Sequence, residues 1–241
     1  MKNFASITLL IFSTFLFTNC VSAQSNRITN KNFRVTPFSA IESNTVGNIE
    51  FTQSSSYSVR AEGNEEMINN LIVNVQNNKL VISKKKDLKR LFGNRRSGKL
   101  IIRISSPNLS IIESNGVGNI ELKGKQEVSQ FKIVSNGVGN LNALNLNADN
   151  IDITSNGVGN IELKGSASSV SVLSDGVGNV KLENLKARHA NIDSDGVGNV
   201  ACYATESVDI HAGGIGNVTY YGNPKTKNIN KGGIGKVRNG D

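Results

Sequence analysis

The decapeptide Asn-Gly-Val-Gly-Asn-Ile-Glu-Leu-Lys-Gly stands at residues 115–124 and recurs unchanged at residues 156–165. Looser copies surround it, and their second glycines are Gly47, Gly118, Gly139, Gly159, Gly178, Gly198, Gly216 and Gly235. From Gly118 onward these recur at steps of 21, 20, 19, 20, 18 and 19 residues. Apolar and polar residues alternate on both sides of each turn. Ile151, Ile153, Ile161 and Leu163 fall on one face, and Asp152, Thr154, Glu162 and Lys164 on the other. One such unit cannot bury its apolar face alone, but copies stacked about 4.8 Å apart bury a continuous column. The repeat therefore predicts an all-β fold: a single-stranded parallel β-helix of coils roughly 20 residues long. A right-handed sense is the usual one for parallel connections.

Glycines come in pairs at seven of the eight turns, including Gly116 and Gly118, Gly137 and Gly139, Gly157 and Gly159, Gly176 and Gly178, Gly196 and Gly198, and Gly214 and Gly216. Such pairs are expected where a Cβ would clash or where φ must be positive. The residue before each pair (Asn115, Asn136, Asn156, Asp175, Asp195) is expected to tolerate left-handed geometry and to bond its own turn. The residue after it (Asn48, Asn119, Asn140, Asn160, Asn179, Asn199, Asn217) is expected to stack on itself as an amide ladder.

The rhythm breaks once, where 71 residues separate Gly47 from Gly118. Asn64 followed by Glu65 and Glu66 reads as a helix start over residues 64–71. Residues 71–75 and 79–83 flank Asn77-Asn78, a hairpin signal, and residues 99–105 read as another strand. Residues 51–113 are thus expected to form irregular coils with an antiparallel excursion, and residues 114–241 the regular coils. At the far end Lys231, Lys236 and Arg238 supply the charges that discourage edge-to-edge pairing of the last coil.

Residues 1–23 belong to a different class. Lys2, an apolar stretch from Phe4 to Phe17 and the small-residue site Val21-Ser22-Ala23 predict a signal peptide cleaved after Ala23. The apolar stretch is too short to span a membrane comfortably, so no transmembrane segment is expected in the mature chain. A lipid anchor at Cys20 is the competing reading, disfavoured by Asn19 where a small residue is usual. Residues 24–37 then form a lead-in and residues 38–241 one domain. With 37% apolar residues and three prolines the chain is not a disordered one. Cys202 aligns with Leu122, Leu163, Leu182 and Tyr220 and is expected to be a buried thiol rather than a nucleophile.

Three features could carry binding or chemistry. The first is the turn column Val46, Val117, Val138, Val158, Val177, Val197, Ile215 and Ile234. Strict alternation places it outside as an apolar stripe for a partner or for another copy of the chain; a change of parity at the glycines would tuck it into the core instead. The second is the basic run of Lys84, Lys85, Lys86, Lys89, Arg90, Arg95, Arg96, Lys99 and Arg103, opposed by Asp87 alone, which equals the chain's formal net charge of +8. Within it the loop at residues 84–99 would either dock on an anionic glycan or envelope surface or simply keep the solenoid soluble. Nucleic acid is not an expected partner, because no reader fold is recognisable.

The third is the pair Asp175 and Asp195, in equivalent positions of successive coils, with Asp193 nearby as a third acid that would allow weak cation binding. A glycosidase or lyase would need two carboxyls in different environments, whereas these occupy the slot that is Asn elsewhere. Turn chemistry is the simpler account. His189 and His211 map to outward positions about one coil apart, with no acid or Cys at ligand spacing, so neither a metal site nor a cofactor is expected.

The opening Phe38-Ser39-Ala40-Ile41, the segment Lys79-Leu80-Val81-Ile82, the serial Gly-x-Gly turns, and the closing Tyr221-Gly222-Asn223-Pro224 with Gly233-Ile234-Gly235 together resemble the putative auto-transporter adhesin, head GIN domain family. The resemblance implies a β-helical fold and an exported, surface or periplasmic location, and it brings no catalytic residues. That family's turn is more often Gly-Ser-Gly-Asp, where this chain has Gly-Val-Gly-Asn. The family name also implies a translocation barrel, and none is expected in this sequence. The function expected is therefore an exported, non-catalytic binding scaffold of the cell envelope, adhesin-like in character. A self-associating assembly protein and a polysaccharide-acting enzyme are the alternatives.

Overall fold

A computed structural model of the chain describes residues 27–85 and 99–241. The segment expected to be a signal peptide, Cys20, and Lys86, Lys89, Arg90, Arg95 and Arg96 of the basic run lie outside the described residues.

Alternation and the Gly-x-Gly turns produce the expected parallel β-solenoid. Strands β10 (Gln126–Ser135), β11 (Leu141–Ser155), β12 (Ile161–Ser174), β13 (Val180–Lys181) with β14 (Leu185–Ser194), and β15 (Val200–Ala212) follow successive turns and pair in parallel with their neighbours in the stack. Like residues sit over like. One inward column runs Ile120, Leu141, Ile161, Val180, Val200, Val218, and the next runs Leu122, Ala143, Leu163, Leu182, Cys202, Tyr220. All of these side chains are buried, and burying a large aliphatic one is worth about 1.5–3 kcal/mol. The stack continues through β16 (Val218–Tyr221), β17 (Thr226–Lys231) and β18 (Val237–Asn239).

The 71-residue interval is a detour that covers one end of the solenoid. The first coil, β2 (Ala40–Asn44) and β3 (Asn48–Gln53), stacks directly on β8 (Ile111–Ser114) and β9 (Ile120–Lys123). On its other side it carries β6 (Lys79–Lys84) and β7 (Leu100–Ser106), also in parallel. The chain therefore builds one more coil behind its own first one before moving forward. That coil is closed by antiparallel neighbours: β5 (Leu71–Gln76) on β6, and β4 (Ser58–Asn64) on β7, with β1 (Ile28–Phe33) outside β4.

Local chemistry explains the elements of this end. Asn77 and Asn78 take φ of 49° and 62°, as a two-residue hairpin turn requires of both central residues. The Asn64 side chain accepts hydrogen bonds from the backbone N–H of Glu66 and Met67, and so starts the single turn α1 (Glu65–Asn69), which buries Ile68. Lys79 lies 2.9 Å from Glu42 and 3.2 Å from Glu113, tying three stacked strands together.

The first turn has Thr45 where the others have glycine, and the stack gives the reason. A Cβ at Gly116 would collide with the carbonyl oxygen of Thr45, and one at Gly137 with that of Gly116. Each first glycine is thus demanded by the turn before it. Thr45 has no Gly-x-Gly turn before it, so its side chain is accommodated and buried.

One expectation about the turns is corrected. Asn115, Asn136 and Asn156 do not adopt left-handed backbone; among the described non-glycine residues only Asn77, Asn78 and Asn223 have positive φ. The second glycine of each pair from Gly118 onward absorbs the unusual φ, near +150°, and the preceding Asn is free to bond between coils instead.

Candidate functional site

The valine column lies outside. Val46, Val117, Val138, Val158, Val177, Val197 and Ile215 are 47–54% exposed, and Ile234 is 73% exposed. Each residue forms a parallel bridge with the next, from Val46 to Ile234. Val138, for example, donates its N–H to Gly116 O and accepts from Gly118 N, both at 2.9 Å. With its N–H and its C=O both bonded to the preceding turn, only the side chain is left free, and the glycines on either side offer nothing to cover it. The alternative of a corner tucked into the core is therefore overturned. The result is a straight ridge of β-branched side chains, roughly 34 Å long at about 4.8 Å per step.

An amide ladder braces the ridge. Asn160 N–H and Nδ2 donate to Asn140 Oδ1 at 2.9 and 3.0 Å, and Asn160 Oδ1 in turn accepts from Asn179 N–H and Nδ2 at 3.0 and 2.8 Å. The same pattern continues through Asn199 and Asn217 to the N–H of Lys236. On the other side of the turn a second ladder links Asn44, Asn115, Asn136 and Asn156. The sequence had pointed to only the first of these.

The basic run divides. Arg103 is not part of a free cationic patch: it bonds Glu50 at 3.1 Å and also Glu62, because β7 lies between β3 and β4. Those bonds hold Glu62 below the usual carboxylate range, its hydrogen bond from Arg103 first and the attraction of that charge second. Lys84, Lys85 and Lys99 are exposed and flank residues 86–98. The strands they adjoin stack on β2 and β3, on either side of the Val46 turn, so these lysines stand at one end of the ridge.

The two acids of the enzyme alternative stand in like environments. Asp175 and Asp195 are both exposed at turns of adjacent coils. An open depression of about 570 Å³ lies elsewhere and is lined by Asn108, Glu127, Ser129, Asn147, Asp149 and Ser166. The reading of His211 as lacking an acid partner is also corrected. Stacking sets Asp193 opposite it, and its Nε2 is 3.8 Å from Asp195 Oδ1. These partners are 16 and 18 residues away in the chain, beyond any motif spacing.

Cys202 is wholly buried in its column, and burial pushes its thiol up from 9.0 to about 12. Because the folded value is raised, the thiol's contribution to stability is complete below its ordinary pKa and falls away as pH rises through the alkaline range. A thiol reagent at pH 8 is expected to leave Cys202 unmodified in the native protein and to label it fully in denaturant. Rapid native labelling would contradict its burial.

These features define a class: a repetitive β-solenoid with one exposed aliphatic ridge. Residues 37–224 match the family described as "Putative auto-transporter adhesin, head GIN domain", and the chain belongs to that family. The coil of β17 and β18 lies beyond the match but continues the same stack. The crystal structure of a putative adhesin from Bacteroides fragilis is similar, with 33% identity and a TM-score of 0.85, over 89% of this chain and 98% of that one. A putative adhesin from Parabacteroides merdae, 18% identical, and a putative lipid binding protein from Parabacteroides distasonis, 21% identical, share the fold with TM-scores of 0.64 and 0.65. They match 89% and 87% of this chain and 97% and 96% of their own. No curated protein matches the sequence. Among the described residues, no helix is long and apolar enough to cross a membrane.

Proposed function

We propose that the protein is an exported, non-catalytic binding scaffold of the cell surface or envelope, and that the valine ridge is its contact face. The observation that carries this reading is the column of half-exposed aliphatic side chains running unbroken along the stack. An aliphatic stripe of that extent is a liability unless something covers it. Family membership supports a surface role. Stacked coils suit it, because the strands inside the stack are bonded on both sides and the face they present is rigid.

The double variant Val158→Ser/Val177→Ser tests the reading. Both side chains point to solvent, so the variant is expected to keep the parent's melting temperature within a few degrees and to lose binding to immobilised envelope or matrix extracts. Undiminished binding by the folded variant would discard the ridge as the contact face.

Exposure of the ridge also favours a second reading, assembly of copies through the Val/Asn face. Light scattering across a concentration series separates the two. A parent that oligomerises while the double variant stays monomeric supports assembly, and a monomer throughout leaves a foreign partner. At the end of the ridge, Lys84, Lys85 and Lys99 would favour an anionic surface such as a phosphorylated glycolipid or acidic polysaccharide. Export with cleavage after Ala23 belongs to the same proposal, and predicts a mature N-terminus at Gln24.

A further inference from the structure

Independently of the ridge, one cluster departs from the regular columns. Through the first coils the slot before the glycine pair is an amide that donates to the coil before it. It then becomes Asp175, Asp195 and, from there on, glycine at Gly213 and Gly232. At that point the donors of Asp193, Asp195 and His211 converge, one atom from each within 4.8 Å of the others. Around a single ion with bonds of about 2.1 Å, ligand atoms lie at most about 4.2 Å apart. Small rotations of the exposed Asp195 and His211 side chains close the difference.

Two further observations point to a ligand. Asp193 Oδ1 is shielded from solvent and has no hydrogen-bond partner, a costly condition for a carboxylate that a bound cation would relieve. Among the described residues, no Lys or Arg pairs with either acid. Gly213 also leaves the approach open: a Cβ there would collide with Asp195 Oδ1 and lie 3.4 Å from His211 Nε2.

We propose that Asp193, Asp195 and His211 form a site for a borderline divalent cation, zinc or an ion like it, with the remaining coordination positions left to water. Two carboxylate donors and one imidazole suit zinc-type ions, whereas calcium and magnesium favour oxygen-only sets.

Calorimetric titration of the tag-free chain with zinc chloride tests this. Saturable binding of one ion per chain is expected, weakened about tenfold or more in His211→Ala and in Asp193→Asn, and also weakened in Gly213→Ala. His189→Ala serves as the control and is expected to bind like the parent. Zinc should raise the melting temperature of the parent and not of His211→Ala, a readout that also confirms that the variant is folded. Absence of saturable binding, unchanged affinity in folded His211→Ala, or equal affinity for calcium chloride would each overturn the proposal.

Discussion

Gly159→Ala is expected to split the solenoid. The alanine Cβ would collide with the carbonyl oxygen of Gly139 in the preceding coil, and φ at this position is +148°. Neither problem has a local remedy, since the obstacle is backbone held on both sides by parallel hydrogen bonds. Strain of this kind costs about 1–3 kcal/mol, and forcing two coils apart adds the loss of their stacking. A total on the order of 4 kcal/mol or more follows, lowering the melting temperature by on the order of 10 °C. Stability in a stack is a sum of nearest-neighbour terms, so melting should become biphasic as the two halves uncouple. Two other glycines calibrate the result. Gly124→Ala meets no atoms within 4 Å but has φ of +74°, and should cost about 1–2 kcal/mol. Gly232→Ala meets none and has no positive φ, and should change little. Circular dichroism melts give all three, and a Gly159→Ala melt matching that of Gly232→Ala would refute the stacking.

Asn160→Ala is expected to have the second-largest effect. The substitution removes the acceptor of both Asn179 donors and the amide that Asn140 Oδ1 receives. Asn160 and Asn179 are half-buried, so water replaces these bonds only in part. Leaving such donors unpaired costs about 1–3 kcal/mol, or roughly 3–10 °C in melting temperature. Asn115→Ala, in the second ladder, should cost less, because Asn115 and Asn136 are exposed and that ladder serves no backbone N–H. Equal melting temperatures for Asn160→Ala and the parent would count against the ladder as a stabilising device.

Both predictions rest on features legible in the sequence. A step near 20 residues combined with period-2 alternation has one economical solution, and Ile151, Ile153, Ile161 and Leu163 point inward as that solution requires. The Asn77-Asn78 hairpin and the Asn64 helix start were equally plain, because each depends on its own few residues. The route of residues 51–113 was less so. No period runs through that interval, and pairings such as Glu50 with Arg103, 53 residues apart, follow from closure of the whole end. For the same reason Arg103 looked like part of a cationic run.

The two identical decapeptides separate what local sequence decides from what the stack decides. Both make a turn, a ladder asparagine and a strand, since these follow from glycine torsions, amide chemistry and alternation alone. Their last glycines diverge: Gly124 stands clear of all neighbours, while Gly165 has φ of +137° and is pressed against the backbone of Leu146. Sequence alone determined the coil, its inward columns and its turns. The tertiary structure decided which valine faces meet solvent, which end is covered, and that His211 meets Asp193 and Asp195. Those outcomes depend on what lies one coil away, and a side chain's surroundings there are set by the stacking of backbones rather than by its neighbours in the chain.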